Sequence, residues 1–107
     1  MTDEDVRLRR EDDHSRYTLM YQGEVAGVAQ YQEHGNWRVF THTVVDDRFE
    51  GKGLGSRLVR FALDDTRAQG KRIVPQCPFV RAYIQKHHDW KDIIDRPTKH
   101  LLASLPE

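Results

Sequence analysis

The sequence has one cysteine, no net charge and no apolar run long enough to cross a bilayer. The single Cys77 excludes an internal disulfide and a zinc site built from several cysteines. No charged-then-apolar leader follows Met1, and together with the missing apolar run this favours a cytoplasmic protein that binds no membrane. A formal charge of zero gives no overall field to attract a polyanion, so we expect no nucleic-acid partner.

Metal-ligand spacing is missing as well. The chain has six histidines, but no two of them are spaced as in the HExxH zinc motif. We therefore predict no metal site. The histidines are scattered along the chain at His14, His34, His42, His87, His88 and His100.

The chain of 107 residues is long enough for one hydrophobic core, so residues 1–107 are predicted to form a single domain. Four segments before residue 46 favour strands, and the Gln22-Gly23 turn joins the second and third as a hairpin. Gly27 predicts a bulge or a close backbone approach. The fourth segment is apolar on both faces, one of which holds Phe40, His42 and Val44, and this predicts a central strand covered on both sides. The segments are residues 5–10, Arg16–Tyr21, residues 24–32 and Trp37–Val45.

Helical periodicity begins after these strands. Apolar residues recur at helical spacing over residues 53–69, and Gly70 is expected to end that helix. A short strand is predicted over residues 71–77, and a second helix over residues 78–88, because Pro78 suits a first helical turn. Residues 89–95 favour one further turn of helix, and residues 98–105 a short tail element. This order predicts an α/β (α+β) fold: a mixed, mostly antiparallel sheet with a glycine-turn–helix–strand crossover.

Three glycines, Gly51, Gly53 and Gly55, separate the fourth strand from the long helix. Such a turn lets backbone N–H groups approach an anion, and the helix N-terminus adds partial positive charge. The spacing fits neither GxxxxGK followed by Ser or Thr nor the GxGxxG dinucleotide motif. It fits Arg-x-x-Gly-x-Gly, starting at Arg48. Residues 48–72 also carry a local charge of +4, which favours a polyanionic ligand.

This loop and its flanking segments resemble the GNAT superfamily of acetyl-CoA-dependent N-acetyltransferases, in particular its small single-domain members. The segments are THT at residues 41–43, EGKGLG at residues 50–55 and CPFVRAYIQKH at residues 77–87. The similarity runs from about Arg16 to Ile94. It implies a GNAT-like acyl-CoA acyltransferase fold, with acetyl-CoA or coenzyme A as the cofactor. It also implies that an acetyl group moves to an amine on a small molecule or a protein.

The resemblance assigns the cofactor site to the loop and to the strand before it. Loop amides are implied to hold the coenzyme A pyrophosphate, and a backbone N–H near residues 43–45 to stabilise the oxyanion. The implied cofactor-binding residues are Thr43, Val44, Val45, Arg48, Glu50, Gly51, Lys52, Gly53, Leu54, Gly55 and Ser56.

The resemblance also implies three candidate catalytic side chains. Tyr83 matches a tyrosine that protonates the leaving thiolate, although it also lies on the apolar stripe of its helix and suits the core. Cys77 precedes a helix N-terminus, which favours a thiolate nucleophile, and it is equally suited to a small buried position. His42 is the candidate base, because Val44 stands where relatives have a glutamate. A histidine that is simply satisfied within the sheet is the alternative.

The acceptor side is predicted to be open. GNAT enzymes of full size have helices between their first strands, and the two-residue turn between Tyr21 and Glu24 leaves no room for them. An open side suits a protruding amine on a macromolecule. With Val44, it also supports a second hypothesis, a coenzyme A or acyl-CoA-binding module with little or no transferase activity. The leucines near the C-terminus leave a monomer and a homodimer equally open.

Overall fold

Five strands and two α-helices form the part of the chain that the computed structural model describes, residues 5–49 and 51–96. In chain order they are β1 (Val6–Glu11), β2 (Arg16–Tyr21), β3 (Glu24–His34), β4 (Trp37–Val45), α1 (Leu54–Ala68), β5 (Arg72–Pro75) and α2 (Pro78–Lys86). The strands lie side by side in chain order, antiparallel from β1 to β4, and β5 pairs parallel to β4. The predicted mixed, mostly antiparallel α/β fold is therefore confirmed.

Both helices pack on one face of the sheet around a common hydrophobic core. Leu58 and Leu63 of α1 are fully buried at helical spacing, in one cluster with Tyr17, Leu19 and Phe40 of the sheet. Each such buried side chain contributes roughly 1.5–3 kcal/mol. Neither these helices nor any other in the described portion of the chain has the length and apolar character needed to cross a bilayer.

A bulge at Thr41 changes which face the second half of β4 presents. In the pairing with β3, Thr41 is skipped, so it is an extra residue between Phe40 and His42. Phe40 packs in the core beneath the helices, whereas His42 and Val44 are exposed on the opposite face. The prediction that Phe40, His42 and Val44 share one face is wrong, because simple alternation does not count the extra residue.

The prediction that β4 is covered on both faces holds only for its first half. Val39 is fully buried on the face away from the helices, where it packs with Val74 and Trp37. Val44, further along on that face, is 65% exposed. The second half of β4 therefore has one free face.

Gly27 shows both features predicted for it. The β2–β3 register skips Ala26, which makes a bulge beside the glycine. A Cβ on Gly27 would lie 3.2 Å from Leu58 Cδ2 of α1. The glycine therefore lets the β3 backbone lie close against the helix.

The strand predicted over residues 71–77 ends early, at Pro75. The N–H groups of Gln76 and Cys77 both donate to the Phe40 carbonyl, at 3.0 and 2.8 Å. Two donors on one carbonyl turn the chain away from β4, so the parallel pairing stops there.

The second helix also ends earlier than predicted. It stops at Lys86 instead of residue 88, because His87 is already extended (φ −126°, ψ 114°). The helical turn predicted within residues 89–95 is the 3₁₀ turn Lys91–Ile93. The tail element predicted over residues 98–105 lies outside the described residues.

A buried arginine links the sheet to α1. Arg38 of β4 is 2% exposed, donates to the Tyr17 hydroxyl and to Gln69 Oε1 (2.8 Å), and pairs with Glu33. Tyr17 donates to Asp65 of α1 at 2.7 Å. Burial is the main cause that raises the pKa of Tyr17, so its hydroxyl remains a donor at neutral pH.

Replacing this arginine is expected to weaken the fold. Arg38→Met keeps the apolar stem but leaves Tyr17 and Gln69 without their donor. We expect the free energy of unfolding to fall by about 3 kcal/mol, because the Tyr17 hydroxyl stays fully buried after it has lost its charged donor. Urea unfolding followed by circular dichroism measures the change. Arg9→Met is the control: Arg9 is 63% exposed in its ion pair, so the loss should be below about 1 kcal/mol. Equal losses would contradict the role given to Arg38.

Candidate functional site

β4 continues after β5 has left the sheet. The two strands pair from Trp37 with Arg72 to Phe40 with Pro75, whereas β4 runs on to Val45. Residues 41–45 therefore have a neighbouring strand on the β3 side only. A gap opens on their other side, between β4 and the start of α2.

Two backbone N–H groups of β4 point into this gap. Asp46 donates its N–H to the Ala26 carbonyl of β3 at 2.8 Å. In an antiparallel pair, successive residues alternate between facing the partner strand and facing away from it. Val44 therefore faces β3, and the amides of Thr43 and Val45 face the gap. They are available donors for a carbonyl oxygen.

The glycine turn leaves the N-terminus of α1 open. Gly51 and Gly53 have left-handed backbone angles (φ 82° and 72°), which glycine adopts without strain. A Cβ on either would meet no atom within 4 Å. Gly53 is the N-cap without a side-chain cap, and the first turn of α1 has no acidic residue. The uncapped N–H groups and the free approach fit a pyrophosphate.

Arg48, the first residue of the Arg-x-x-Gly-x-Gly motif, forms ion pairs with two carboxylates next to the loop. Its guanidinium donates to both carboxylate oxygens of Asp46, at 3.3 and 3.1 Å, and lies 3.0 Å from a carboxylate oxygen of Glu24. Hydrogen bonds from Arg48 lower the pKa of Asp46. The side chain of Arg48 is therefore engaged with the protein itself, which leaves anion binding to the backbone of the loop.

The remaining residues predicted for the cofactor differ in accessibility. Leu54 is 4% exposed and belongs to the core. Ser56 is exposed on the first turn of α1, and the ammonium of Lys52 lies 5.7 Å from the centre of the Tyr21 ring. Glu50 lies outside the described residues.

A cleft of about 280 Å³ runs between α1 and α2. Tyr83 lines it and is 7% exposed, with its ring stacked on His87 at a centroid distance of 4.3 Å. The same ring packs 5.8 Å from Trp90 in the core. Tyr83 therefore lines the cleft that faces the first turn of α1, and its ring also packs in the core. The full lining is Ser56, Phe79, Ala82, Tyr83, Lys86 and His87.

Phe79 and Lys86 were missed by the sequence analysis. The signal was present, because residues 79, 82, 83, 86 and 87 recur at helical spacing and share one face of α2. Phe79 packs against Gly55: a Cβ there would lie 2.6 Å from Phe79 Cζ and 3.3 Å from Val45 Cγ2. The missing side chain of the third glycine therefore allows Phe79 and Val45 to pack closely against α1.

The structure brings Cys77 to the gap and places His42 elsewhere. The Cys77 thiol, 3% exposed, donates to the Thr43 hydroxyl at 3.4 Å, and Cys77 is the N-cap of α2. His42 is exposed on the other face of the sheet, beside Val44. The sheet therefore separates His42 from Cys77 and Tyr83.

Most of the cations in residues 48–72 are already paired with carboxylates. Arg67 lies 2.8 Å from Asp92, and Arg72 lies 2.6 Å from Asp95. The positive charge of this segment is thus mostly neutralised within the protein and carries little of the argument for a polyanion. No three His, Cys, Asp or Glu side chains within residues 5–49 and 51–96 are placed to hold a metal ion. The paired cations are Arg48, Arg60, Arg67, Lys71 and Arg72.

The family model described as GCN5-related N-acetyl-transferase matches residues 16–93, which is most of the chain. The chain belongs to this family. Its structure is similar to that of a Staphylococcus aureus protein described as GCN5-like, with a TM-score of 0.67 and 17% identity. That match covers 90% of this chain and 94% of the other, and at this identity it shows a shared fold.

Two larger proteins share part of the fold. The ribosomal-protein-S18-alanine N-acetyltransferase of Escherichia coli matches 54% of this chain with a TM-score of 0.52 and 22% identity. The N-acetylglutamate synthase of Neisseria gonorrhoeae, complexed with coenzyme A and N-acetyl-glutamate, matches 66% with a TM-score of 0.50 and 19% identity. The match with the present chain covers only 38% of the Escherichia coli protein and 19% of the Neisseria protein. A comparison with curated protein sequences finds no match.

Gly55→Ala is expected to destabilise the protein, although alanine normally favours a helix. The added Cβ would lie 2.6 Å from the Phe79 ring, which must then move. We expect a loss of about 1–2 kcal/mol in urea unfolding. In a Phe79→Ala background the substitution should be neutral or stabilising.

Gly53→Ala is the control for this double-mutant cycle. It adds backbone strain without a steric clash and should cost about 1 kcal/mol in both backgrounds. If Gly55→Ala costs the same with and without Phe79, the packing explanation fails.

Proposed function

We propose that this protein binds acetyl-CoA and transfers its acetyl group to an amine. One observation carries the proposal: the free amides of Thr43 and Val45 and the uncapped N-terminus of α1 border the same opening of the fold. A ligand with a thioester at one end and phosphates at the other fits such a pair of donor sets. Membership of the family and the coenzyme A bound by the Neisseria neighbour support the same ligand.

The residues divide the work as follows. The amides of residues 51–56 would hold the pyrophosphate, since the approach to Gly51 and Gly53 is open. The amide of Thr43 or Val45 would hold the thioester oxygen as negative charge develops on it, a contribution of about 3 kcal/mol to transition-state binding. Acetyl-CoA supplies the activated acetyl group.

Proton transfer is assigned to two side chains on opposite sides of the sheet. Tyr83, in the cleft, would donate its hydroxyl proton to the coenzyme A thiolate as the carbon–sulfur bond breaks. His42 would accept a proton from the acceptor amine, which would approach from the exposed face that His42 shares with Val44. That face carries neither α-helix of the described residues, so a large acceptor has room there.

Cys77 offers a second route for the acetyl group. Its thiol lies at the gap, 3.4 Å from the Thr43 hydroxyl. In this route the Cys77 thiol would lose its proton as its sulfur bonds to the acetyl carbon, and the coenzyme A sulfur would leave and take up a proton. The amine would then attack the new thioester, the bond from the acetyl carbon to the Cys77 sulfur would break, and the proton lost by the amine would restore the thiol. Direct attack of the amine on acetyl-CoA needs no such intermediate.

One observation favours the alternative, a coenzyme A-binding protein with little transferase activity. Val44 is 65% exposed at the strand position where a carboxylate base would serve transfer. A valine there removes no proton, which leaves that role to another group such as the neighbouring His42.

A single set of measurements separates these functions. Acetyl-CoA is expected to raise the melting temperature of the protein and to support turnover with a pool of lysine peptides. If Cys77 reacts, the intact mass of the protein should rise by one acetyl group. Cys77→Ala should bind acetyl-CoA normally and lose the covalent label. Turnover that survives in Cys77→Ala would establish direct transfer. Stabilisation without label or turnover would favour the binding protein, and no stabilisation would exclude both.

Tyr83→Phe tests the proton donor. The stack on His87 and the contact with Trp90 need only the ring, so folding and acetyl-CoA affinity should be unchanged. We expect kcat to fall about 10²-fold, because the variant lacks the hydroxyl proton that would protonate the leaving thiolate. Tyr31→Phe, in the sheet core outside the cleft, is the matched control. Equal kcat values in the two variants would rule out a proton-donor role for Tyr83.

A further inference from the structure

A second concave surface lies on the face of α2 opposite to the cleft. Residues 81, 84 and 85 of α2 lie about half a turn away from the residues that line the cleft. His88, which follows the end of the helix, lies beside them with a ring nitrogen 3.0 Å from the Gln85 carbonyl oxygen. Together with the end of β5 and residues 91–96 they border a groove of about 680 Å³, more than twice the volume of the cleft. We call this surface the basic groove.

The groove collects cations that have no anionic partner. Arg81, Lys91 and Arg96 are exposed and line it, and none of them forms an ion pair with a described residue. Arg81 only donates from Nε to the Pro75 carbonyl at 3.0 Å. By contrast, Arg38 and Arg67 are each held by a carboxylate. No carboxylate of the described residues lines the groove.

Its floor is aliphatic. Pro75 is buried, and Ile84 and Ile94 are half-buried. A ligand that complements the groove therefore carries negative charge along its edge and aliphatic groups in its centre. One cation, Arg81, lies on α2, and the other two, Lys91 and Arg96, lie in the segment after it. Because the three are separated along the groove, several anionic groups spaced along a chain fit better than a single one.

These features favour a polypeptide over a nucleic acid. Single-stranded nucleic acid binds where aromatic side chains stack on its bases, and no aromatic ring other than that of His88 lines the groove among the described residues. The rim is formed by exposed side chains, so the groove does not enclose a small molecule as an ordinary ligand pocket does.

We propose that the basic groove binds an acidic, aliphatic segment of the polypeptide that carries the acceptor amine. This inference rests on the proposed function. The position of the groove supports it: Pro75 forms part of the floor, and two residues later Cys77 reaches the gap where the amides of Thr43 and Val45 are free. A segment in the groove is thus held beside the gap on the helix side of the sheet, and the side chain that carries the amine would extend past Pro75 and the gap to the face that carries His42.

The test uses the full chain and fluorescein-labelled peptides with alternating Glu and Leu and one free lysine. The Glu peptide is expected to bind, with an affinity that falls as salt rises. A peptide with Gln in place of Glu should bind about tenfold more weakly, and so should the Glu peptide to Lys91→Glu or Arg96→Glu. Arg7→Glu, an exposed site on β1, is the matched control and should leave binding unchanged.

Turnover separates this proposal from the proposed function. Lys91→Glu should raise KM for the Glu peptide about tenfold and leave kcat unchanged. It should also leave the stabilisation by acetyl-CoA unchanged. Peptide binding that survives when acetyl-CoA gives no stabilisation would mean that the proposed function fails while the groove remains a binding site.

Three results would overturn the inference. The first is equal binding of the Glu and Gln peptides. The second is a single-stranded RNA of similar charge that binds more tightly than the Glu peptide and whose binding is abolished by Lys91→Glu. The third is a dimer, detected by light scattering, that Lys91→Glu dissociates, because the groove would then be a contact between two copies of the chain. Equal KM values for the Glu and Gln peptides would show that the groove does not bind the polypeptide that carries the acceptor amine.

Discussion

The Phe40 carbonyl is the point on which the arrangement of the site depends. By accepting N–H groups from both Gln76 and Cys77, it ends the parallel pairing of β4 and β5 while β4 still has five residues to run. If pairing continued, a strand would occupy the amides of Thr43 and Val45. Because it stops, those amides, the Cys77 thiol and the start of α2 border one opening. The proposed binding site thus uses backbone N–H groups that would normally donate to a neighbouring strand of the sheet.

The bulge at Thr41 has a second, separate effect on the same strand. Without it, His42 would point into the core beneath the helices with Phe40. With it, Thr43 faces the helices and contacts Cys77, while His42 and Val44 face outward. One inserted residue therefore divides the candidate groups between the two faces of the sheet. A proton donor on one side and a base on the other suits a reaction in which the cofactor and the acceptor approach from different directions.

Local patterns in the sequence were enough to predict the strands, the hairpin, α1 and the glycine turn, because each depends on residues within a few positions of one another. The face of His42 was not predictable, since a bulge is set by the register of the partner strand. The role of Gly55 depends on Phe79, which lies 24 residues away in the sequence. Counting charges failed for the same reason: the partners of Arg67 and Arg72 come from residues 89–95, and only the fold brings them together.

Helix α2 lies between the proposed cofactor site and the proposed acceptor site. One of its faces lines the cleft with Tyr83, and the opposite face lines the basic groove with Arg81 and Ile84. Its N-terminus is fixed at the gap by Cys77. Because the cleft and the groove lie on opposite faces of one helix of nine residues, the position of α2 determines the width of both. If both proposals hold, this one helix contacts the cofactor and the acceptor at the same time and sets their relative position.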